Sequence, residues 1–272
     1  MKKYLLSELT SGSDYNLMKA SLLQKLIRRG MTREALYIGT IFLKQGHEKG
    51  LRRRLQIIAA EDIGLGWPES LNYIEKNEDL LKIIQALCEA PKNRESDRFL
   101  LVVANDVNST KGRGKSIEYE VRVLERLFEL SSMWFNNPRD KVALANLRNA
   151  FSKMAENNSL GETIKILGEN YIHLTKQKVH GARCQMALAA LIYCRKWKPT
   201  KFIPSDKLEE PKEFDEIFDF AIDMHTPIGK KLKRDFNHWI KNCVQVVPEI
   251  KYRDLFDDNG KEKYPLTYKS NK

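Results

Sequence analysis

Apolar residues recur along almost the whole chain at the 3.6-residue spacing of an amphipathic helix, and this period limits the fold more than any other feature. Met18, Leu22, Leu23, Leu26 and Ile27 form one stripe, and Ala35, Ile38, Ile41 and Phe42 a second. Leu51, Leu55 and Ile58 follow, then Leu80, Leu81, Ile84, Leu87 and Cys88. The pattern returns at Ile117, Val121, Leu124 and Phe128, at Leu144, Leu147 and Phe151, and across 164–174 and 186–194. Strict two-residue alternation is hardly present, so strands are not expected. Breaks fall at Gly30, Gly46, Gly50, Gly64, Gly66, Pro68, Pro91, Gly112, Gly114, Pro138 and Gly161, where backbone freedom or a missing N–H ends a helix. Thr32, Ser70 and Asn137 stand where N-caps belong. The expected fold is all-α: a multi-helix bundle of short helices and short turns.

The chain has 272 residues, 42% of them hydrophobic, enough to bury a core. No apolar run approaches the ~18 residues of a membrane helix. The first residues, Met1-Lys2-Lys3-Tyr4-Leu5-Leu6, lack a signal peptide's apolar stretch. A cytoplasmic location is expected. Lys and Arg number 47 against 36 Asp and Glu, a formal charge of +11. That excess favours a polyanionic partner, nucleic acid first and DNA before RNA. Cys88, Cys184, Cys194 and Cys243 are widely spaced and read as reduced thiols. The five histidines show no metal-ligand spacing, so neither a metal nor another cofactor is expected.

Composition shifts near Trp197. A basic patch with Pro199 and Pro204 gives way to an acidic run from Asp206 to Asp223, and basic charge returns at Lys230. The expected organisation is a helical domain over 1–196, a linker over 197–211, and a C-terminal helical extension with a polar tail over 212–272.

Two runs carry candidate chemistry. Ser109-Thr110-Lys111-Gly112-Arg113-Gly114-Lys115-Ser116 nearly matches a phosphate-binding loop, and an apolar run precedes it. Ser109 replaces the first glycine, no magnesium-binding acidic strand follows, and no β-rich series supplies a parallel sheet. The loop therefore reads as a basic segment whose Lys111, Arg113 and Lys115 contact a phosphate backbone. The second run is Asp223-Met224-His225-Thr226-Pro227-Ile228-Gly229-Lys230-Lys231-Leu232-Lys233-Arg234. Thr226 can cap a helix beginning at Pro227. Lys230, Lys231, Lys233 and Arg234 crowd its two turns, either as a solvated face or as a phosphate contact. Asp223 and His225 lie too close together in a turn to need more than local hydrogen bonds. Trp197, Trp239, Tyr252 and Phe256 are candidates either for base stacking or for the core.

The most specific stretch is 51–71, in which Arg52-Arg53-Arg54-Leu55 precedes Ala59-Ala60-Glu61-Asp62-Ile63-Gly64-Leu65-Gly66-Trp67-Pro68. It resembles the R-R-L-x-x-x-A-x-E-D-I-G-L-A-x-P signature in the C-terminal domain of the RarA/MgsA family of AAA+ ATPases, which includes the Werner-helicase-interacting ATPases. Upstream, Ser13-Asp14-Tyr15-Asn16-Leu17 through Lys25-Leu26-Ile27-Arg28 resembles that family's entry helix, with Asn16 in place of Asp. Downstream, Glu89-Ala90-Pro91-Lys92-Asn93 is similar to its A-P-K-S-N. The resemblance covers 13–107. It implies a collar of the clamp-loader kind, a helical module that assembles as an oligomer at replication forks and recombination intermediates. No Walker pair accompanies it, so ATP hydrolysis is not carried over. A homo-oligomer, dimer or tetramer, is implied, together with a separately encoded AAA+ ATPase or replication protein as partner. Arg54, Glu61, Asp62, Gly64, Pro68, Pro91, Lys92 and Asn93 are the structural residues it points to.

The residues themselves add a physical reading. Arg54 and Glu61 are seven apart and share a helix face. Glu61 and Asp62 sit near a helix C-terminus, where the dipole disfavours them, so each needs a partner. An ion-pair network inside the domain meets that need, as does a subunit or nucleic-acid contact through Arg52 and Arg53. Three functions compete: a non-catalytic DNA-associated oligomerisation protein, a nucleic-acid-processing enzyme with chemistry near Asp223 and His225, and a degenerate nucleotide binder using Gly114, Lys115 and Ser116.

Overall fold

A computed structural model describes residues 4–8, 13–97, 99–100, 118–137 and 139–248. The fold is all-α, a multi-helix bundle. Among the described residues the strands are two residues long: β1 (Tyr4–Leu5) pairs antiparallel with β2 (Glu216–Ile217), Tyr4 opposite Ile217.

The chain forms two compact units, and they do not follow the expected division at 197–211. Among the described residues, unit 1 gathers those within 4–63, 69–92 and 201–248, and unit 2 those within 64–68 and 93–200. The described part of the stretch read as a C-terminal extension, 212–248, thus belongs with the N-terminal helices. The reason lies in its contacts. From 201 to 215 the backbone has no regular structure, yet it is bound along unit 1. Gln85 donates to the Lys207 carbonyl at 2.7 Å and accepts from the Glu209 N–H at 2.7 Å. Arg33 donates to the Glu210 carbonyl, and Lys212 N–H to the Arg33 carbonyl. What composition marks as a linker is in large part a docked strap.

In unit 1, α1 (Ser13–Arg28) packs on α2 (Thr32–Lys44), α3 (Glu48–Ile58) and α5 (Leu80–Glu89), with α4 (Ser70–Lys76) between α3 and α5. The stripes expected from the sequence supply the core: Leu22, Leu26, Ile38, Leu51, Leu55 and Ile84 are fully buried. Helix α3 continues into a wide π turn over Ala59–Ile63. In unit 2, α6 (Glu118–Asn136), α7 (Lys141–Ala155), α8 (Gly161–Lys176) and α9 (Ala182–Arg195) pack in sequence order, and α9 is buried over nearly its whole length. Back in unit 1, a short 3-10 turn at Asp219–Ala221 leads to α10 (Pro227–Lys231) and α11 (Phe236–Asn242).

Helix starts differ from expectation in detail. Thr226 caps α10 as predicted, accepting from the Gly229 N–H with Pro227 at the first helical position. Thr32 and Ser70 lie one residue inside their helices, and α7 is capped by Asp140 rather than Asn137. Asp140 and Asp79 each accept two backbone N–H groups, satisfying donors the helix leaves open.

Candidate functional site

The family-like motif meets the second distinctive run inside unit 1, through α1. Arg28, at the end of α1, grips Asp62 in the π turn with two bonds, Nε to Oδ1 at 2.9 Å and Nη2 to Oδ2 at 3.2 Å. Asp62 has no exposed surface and Arg28 is 3% exposed. The remaining Arg28 nitrogen, Nη1, donates to the Cys243 carbonyl at 2.9 Å. Gln24, one turn earlier, donates to Asp62 at 3.0 Å and to Glu61 at 3.2 Å. Asp62 thus finds the partner its place at a helix end demands, on a helix rather than within its own. Arg54 reaches the Gln24 Oε1 at 3.4 Å. Burial draws its guanidinium below the ordinary value, while Glu61 and Asp62 pull the other way.

On α1, Lys25 donates to Asp223 Oδ2 at 2.5 Å and to Ser21 Oγ at 2.6 Å. Burial lowers the Lys25 pKa, against the pull of Asp223. Burial pushes the Asp223 carboxyl up, but Lys25, with the His225 N–H, outweighs it and leaves the group below its ordinary value. Asp223 and His225 do not form a side-chain pair: the His225 backbone N–H donates to Asp223 Oδ1 at 2.9 Å, the local turn bond expected. Arg29 closes the same region, donating to the Asn242 carbonyl at 2.7 Å and lying 4.0 Å from the Phe220 ring centre.

The other motif residues also serve packing. Gly64 has φ +51°, and a Cβ there would stand 2.6 Å from the Asn93 carbonyl. Glycine alone allows both the turn and the approach. Pro68 is buried, and its carbonyl takes a long 3.4 Å contact from Asn170. Ala90 adopts extended backbone before Pro91, which ends α5. Lys92 is fully buried, with its ammonium on the Cys88 carbonyl. Burial lowers its pKa to about 8, against the opposing pull of Cys88, Asp62 and Glu89. Cys88 is pushed up to about 12 by burial.

The predicted cationic residues separate into held and displayed groups. Arg52 donates to the carbonyls of Ile74 and Asn77 at the end of α4. Arg53 is exposed. Arg234 is half-buried and donates to the Asp219 and Ile222 carbonyls, to His238 at 2.8 Å, and to the Asp219 carboxylate. Lys230, Lys231 and Lys233 are exposed. Of the three, Lys233 lines an open groove of about 540 Å³, together with Tyr4, Asp219, Leu232, Arg234, Asp235 and His238. Lys111, Arg113, Lys115, and with them Gly114, Ser116, Tyr252 and Phe256, lie outside the described residues. Trp197 is buried, while Trp239 is half-buried against Phe236.

None of the four cysteines forms a disulfide. Among the described residues no three His, Cys, Asp or Glu side chains converge to hold a metal ion, and no helix is long and apolar enough to cross a membrane. Sequence reasoning missed Arg28, Lys25 and Gln24 as the partners of the acids. Arg28 and Lys25 were visible as the end of the entry helix, but nothing in their spacing joins them to residues 34 and 198 positions away. Comparison of the chain with family models, curated proteins and solved structures finds no match.

Proposed function

We propose that this chain is a non-catalytic, DNA-associated oligomerisation module resembling the C-terminal domain of RarA-type replication and recombination ATPases, acting beside a separate AAA+ ATPase or replication protein. One observation carries the reading: the charges are divided between two uses. Asp62, Arg28, Lys25 and Asp223 are consumed in ion pairs inside unit 1, whereas Lys230, Lys231 and Lys233 stand exposed, Lys233 at the wall of an open groove. Paired buried carboxylates suit a scaffold, since a general base must meet its substrate. Exposed lysine clusters on a chain of net charge +11 suit a phosphate backbone.

The test is fluorescence anisotropy with a labelled duplex DNA between 50 and 200 mM salt. With about four phosphates engaged, log affinity falls by about 2 over that range. Charge reversal of Lys230, Lys231 and Lys233 together weakens binding and flattens the slope. Binding absent at low salt, or indifferent to salt, rejects the reading. Light scattering at tens of micromolar tests the oligomer, and a monomer there removes that part of the proposal. The enzymatic alternative at Asp223 and His225 predicts divalent-metal-dependent nuclease activity that disappears in His225→Ala.

A further inference from the structure

Unit 2 carries a second basic surface that no motif marks. From Asn170 to Thr200 the chain has no Asp or Glu, yet holds Lys176, Lys178, Arg183, Arg195, Lys196 and Lys198. The first three are exposed where α8 turns into α9, and Lys196 and Lys198 are exposed where α9 ends. The backbone at both places is unusual. Lys178 has φ +55° and Lys196 φ +54°, left-handed conformations in which a side chain is strained and glycine is not. The turn after α8 closes as a Schellman motif: Lys178 N–H bonds to the Thr175 carbonyl at 3.0 Å and Val179 N–H to the Leu174 carbonyl at 2.9 Å. Glycine is the usual occupant of that left-handed position. Lysine therefore stands at two turns where glycine would fold more easily, both at the ends of one buried helix. A cation near a helix C-terminus gains from the dipole, but that gain is available from any position in the last turn and needs no left-handed lysine.

We propose that the two ends of α9, Lys176, Lys178 and Arg183 at its start and Lys196 and Lys198 at its finish, form a surface that holds the phosphate backbone of an extended nucleic acid. The proposal rests on the polyanion reading above and adds the place. Fourteen residues make α9 about 20 Å long at ~1.5 Å per residue. One nucleic-acid strand carries a phosphate every ~3.4 Å, so the two ends are about six phosphates apart. A mononucleotide cannot reach both, and a polymer can engage both at once.

The experiment uses the full chain, a fluorescein-labelled 20-base-pair duplex and a salt titration, with Lys178→Gly/Lys196→Gly as the variant. Glycine removes both charges and relieves both turns, so the thermal midpoint holds or rises. Each lost phosphate contact lowers the salt slope by ~0.9, so the double variant lowers it by about 1.8 and weakens binding about 60-fold at 0.1 M salt. Lys178→Arg/Lys196→Arg restores binding. An unchanged affinity and slope in the glycine variant overturns the proposal and leaves the lysines as dipole partners. If the glycine variant misfolds, Lys176→Gln/Lys198→Gln, at positions with ordinary backbone, is read by the same criterion. Wild-type protein that fails to bind at 50 mM salt defeats the polyanion reading itself. Wild type that binds, and loses binding only on charge reversal of Lys230, Lys231 and Lys233, defeats only this placement.

Discussion

The surroundings of α1 in unit 1 and the α7–α8 interface in unit 2 are both helix packings, but different forces select their geometry. Around α1, four charged side chains at most 5% exposed make directed pairs: Arg28 with Asp62, Lys25 with Asp223. At α7–α8 the contact is shape: Gly168 lets the Phe151 ring lie against the helix backbone, and a Cβ there would come within 2.6 Å of the ring. The difference follows chain separation. Helices α7 and α8 are joined by a short turn and find each other locally. Helix α1 must gather the π turn at 59–63 and the segment 219–248 from far along the chain. An apolar contact accepts many partners, whereas a buried ion pair punishes every wrong one.

Breaking the pair at its centre has the largest expected effect. Asp62→Ala leaves the Arg28 guanidinium buried without the carboxylate it grips, and removal of one member of a buried pair costs about 3–5 kcal/mol. Denaturant unfolding measures it. Arg28→Ala gives a similar loss, and the double variant costs much less than the sum of the two. Additive losses would show that Asp62 and Arg28 do not act as a pair.

At the shape-selected interface the expected effect is smaller. Gly168→Ala puts a methyl group into the Phe151 ring, which the neighbouring Tyr171 ring, 6.4 Å away between centres, helps confine. Overpacking of this kind costs about 1–3 kcal/mol. Phe151→Leu in the same background makes room and recovers part of it. A neutral Gly168→Ala would mean the ring moves freely and that shape does not select this contact.

Much of this fold was legible in the sequence because helices and their buried faces are local properties. Leu22, Leu26, Leu55, Ile84 and Leu147 all lie at predicted stripe positions and are fully buried. The docking of 201–215 was not legible. Its backbone pairs with Gln85 and Arg33, and an extended polar strap has no period to betray it. The need of Asp62 for a partner could be read from its place at a helix end, but the partner could not, since an ion pair between distant segments leaves no pattern in either. Likewise Arg52 and Arg234 look like Lys230 in a sequence, and only the carbonyls around them separate a structural guanidinium from a displayed charge.

Titration sharpens the contrast, because Lys92, a fully buried ammonium that donates to a backbone carbonyl, lies in unit 1. The Lys92 pKa is lowered by burial to about 8, from an ordinary 10.5. Between these values the unfolded chain binds the proton that the folded chain has lost, so stability rises with pH. Between pH 8 and 9 the gain is about 1 kcal/mol. Above pH 9 Cys88 opposes it. Its thiol stays protonated to about 12 when folded and ionises near 9 when unfolded, so stability drains as pH climbs. Denaturant midpoints should rise from pH 8 to 9 and then level off. Lys92→Met removes the rise, and a Lys92→Met protein that keeps it would assign the titration to another group.

The smallest expected effect is at the surface of the α7–α8 interface. Arg148 and Glu169 form a two-pronged pair there, Nε to Oε1 at 2.9 Å and Nη2 to Oε2 at 3.1 Å. The geometry is as good as that of Arg28 with Asp62, and only the solvent differs: these side chains are 49% and 60% exposed. Water screens the attraction and solvates whichever partner is left alone, so such pairs contribute about 0.2–1 kcal/mol. Arg148→Ala should therefore cost about 0.5 kcal/mol, and less at 1 M salt, where charges more than ~3 Å apart are screened. The Arg28–Asp62 pair, closed to ions, should lose far less of its contribution in the same salt. An Arg148→Ala loss as large as that of Arg28→Ala would mean burial is not what makes the inner pair strong, and the contrast between the two regions would fail.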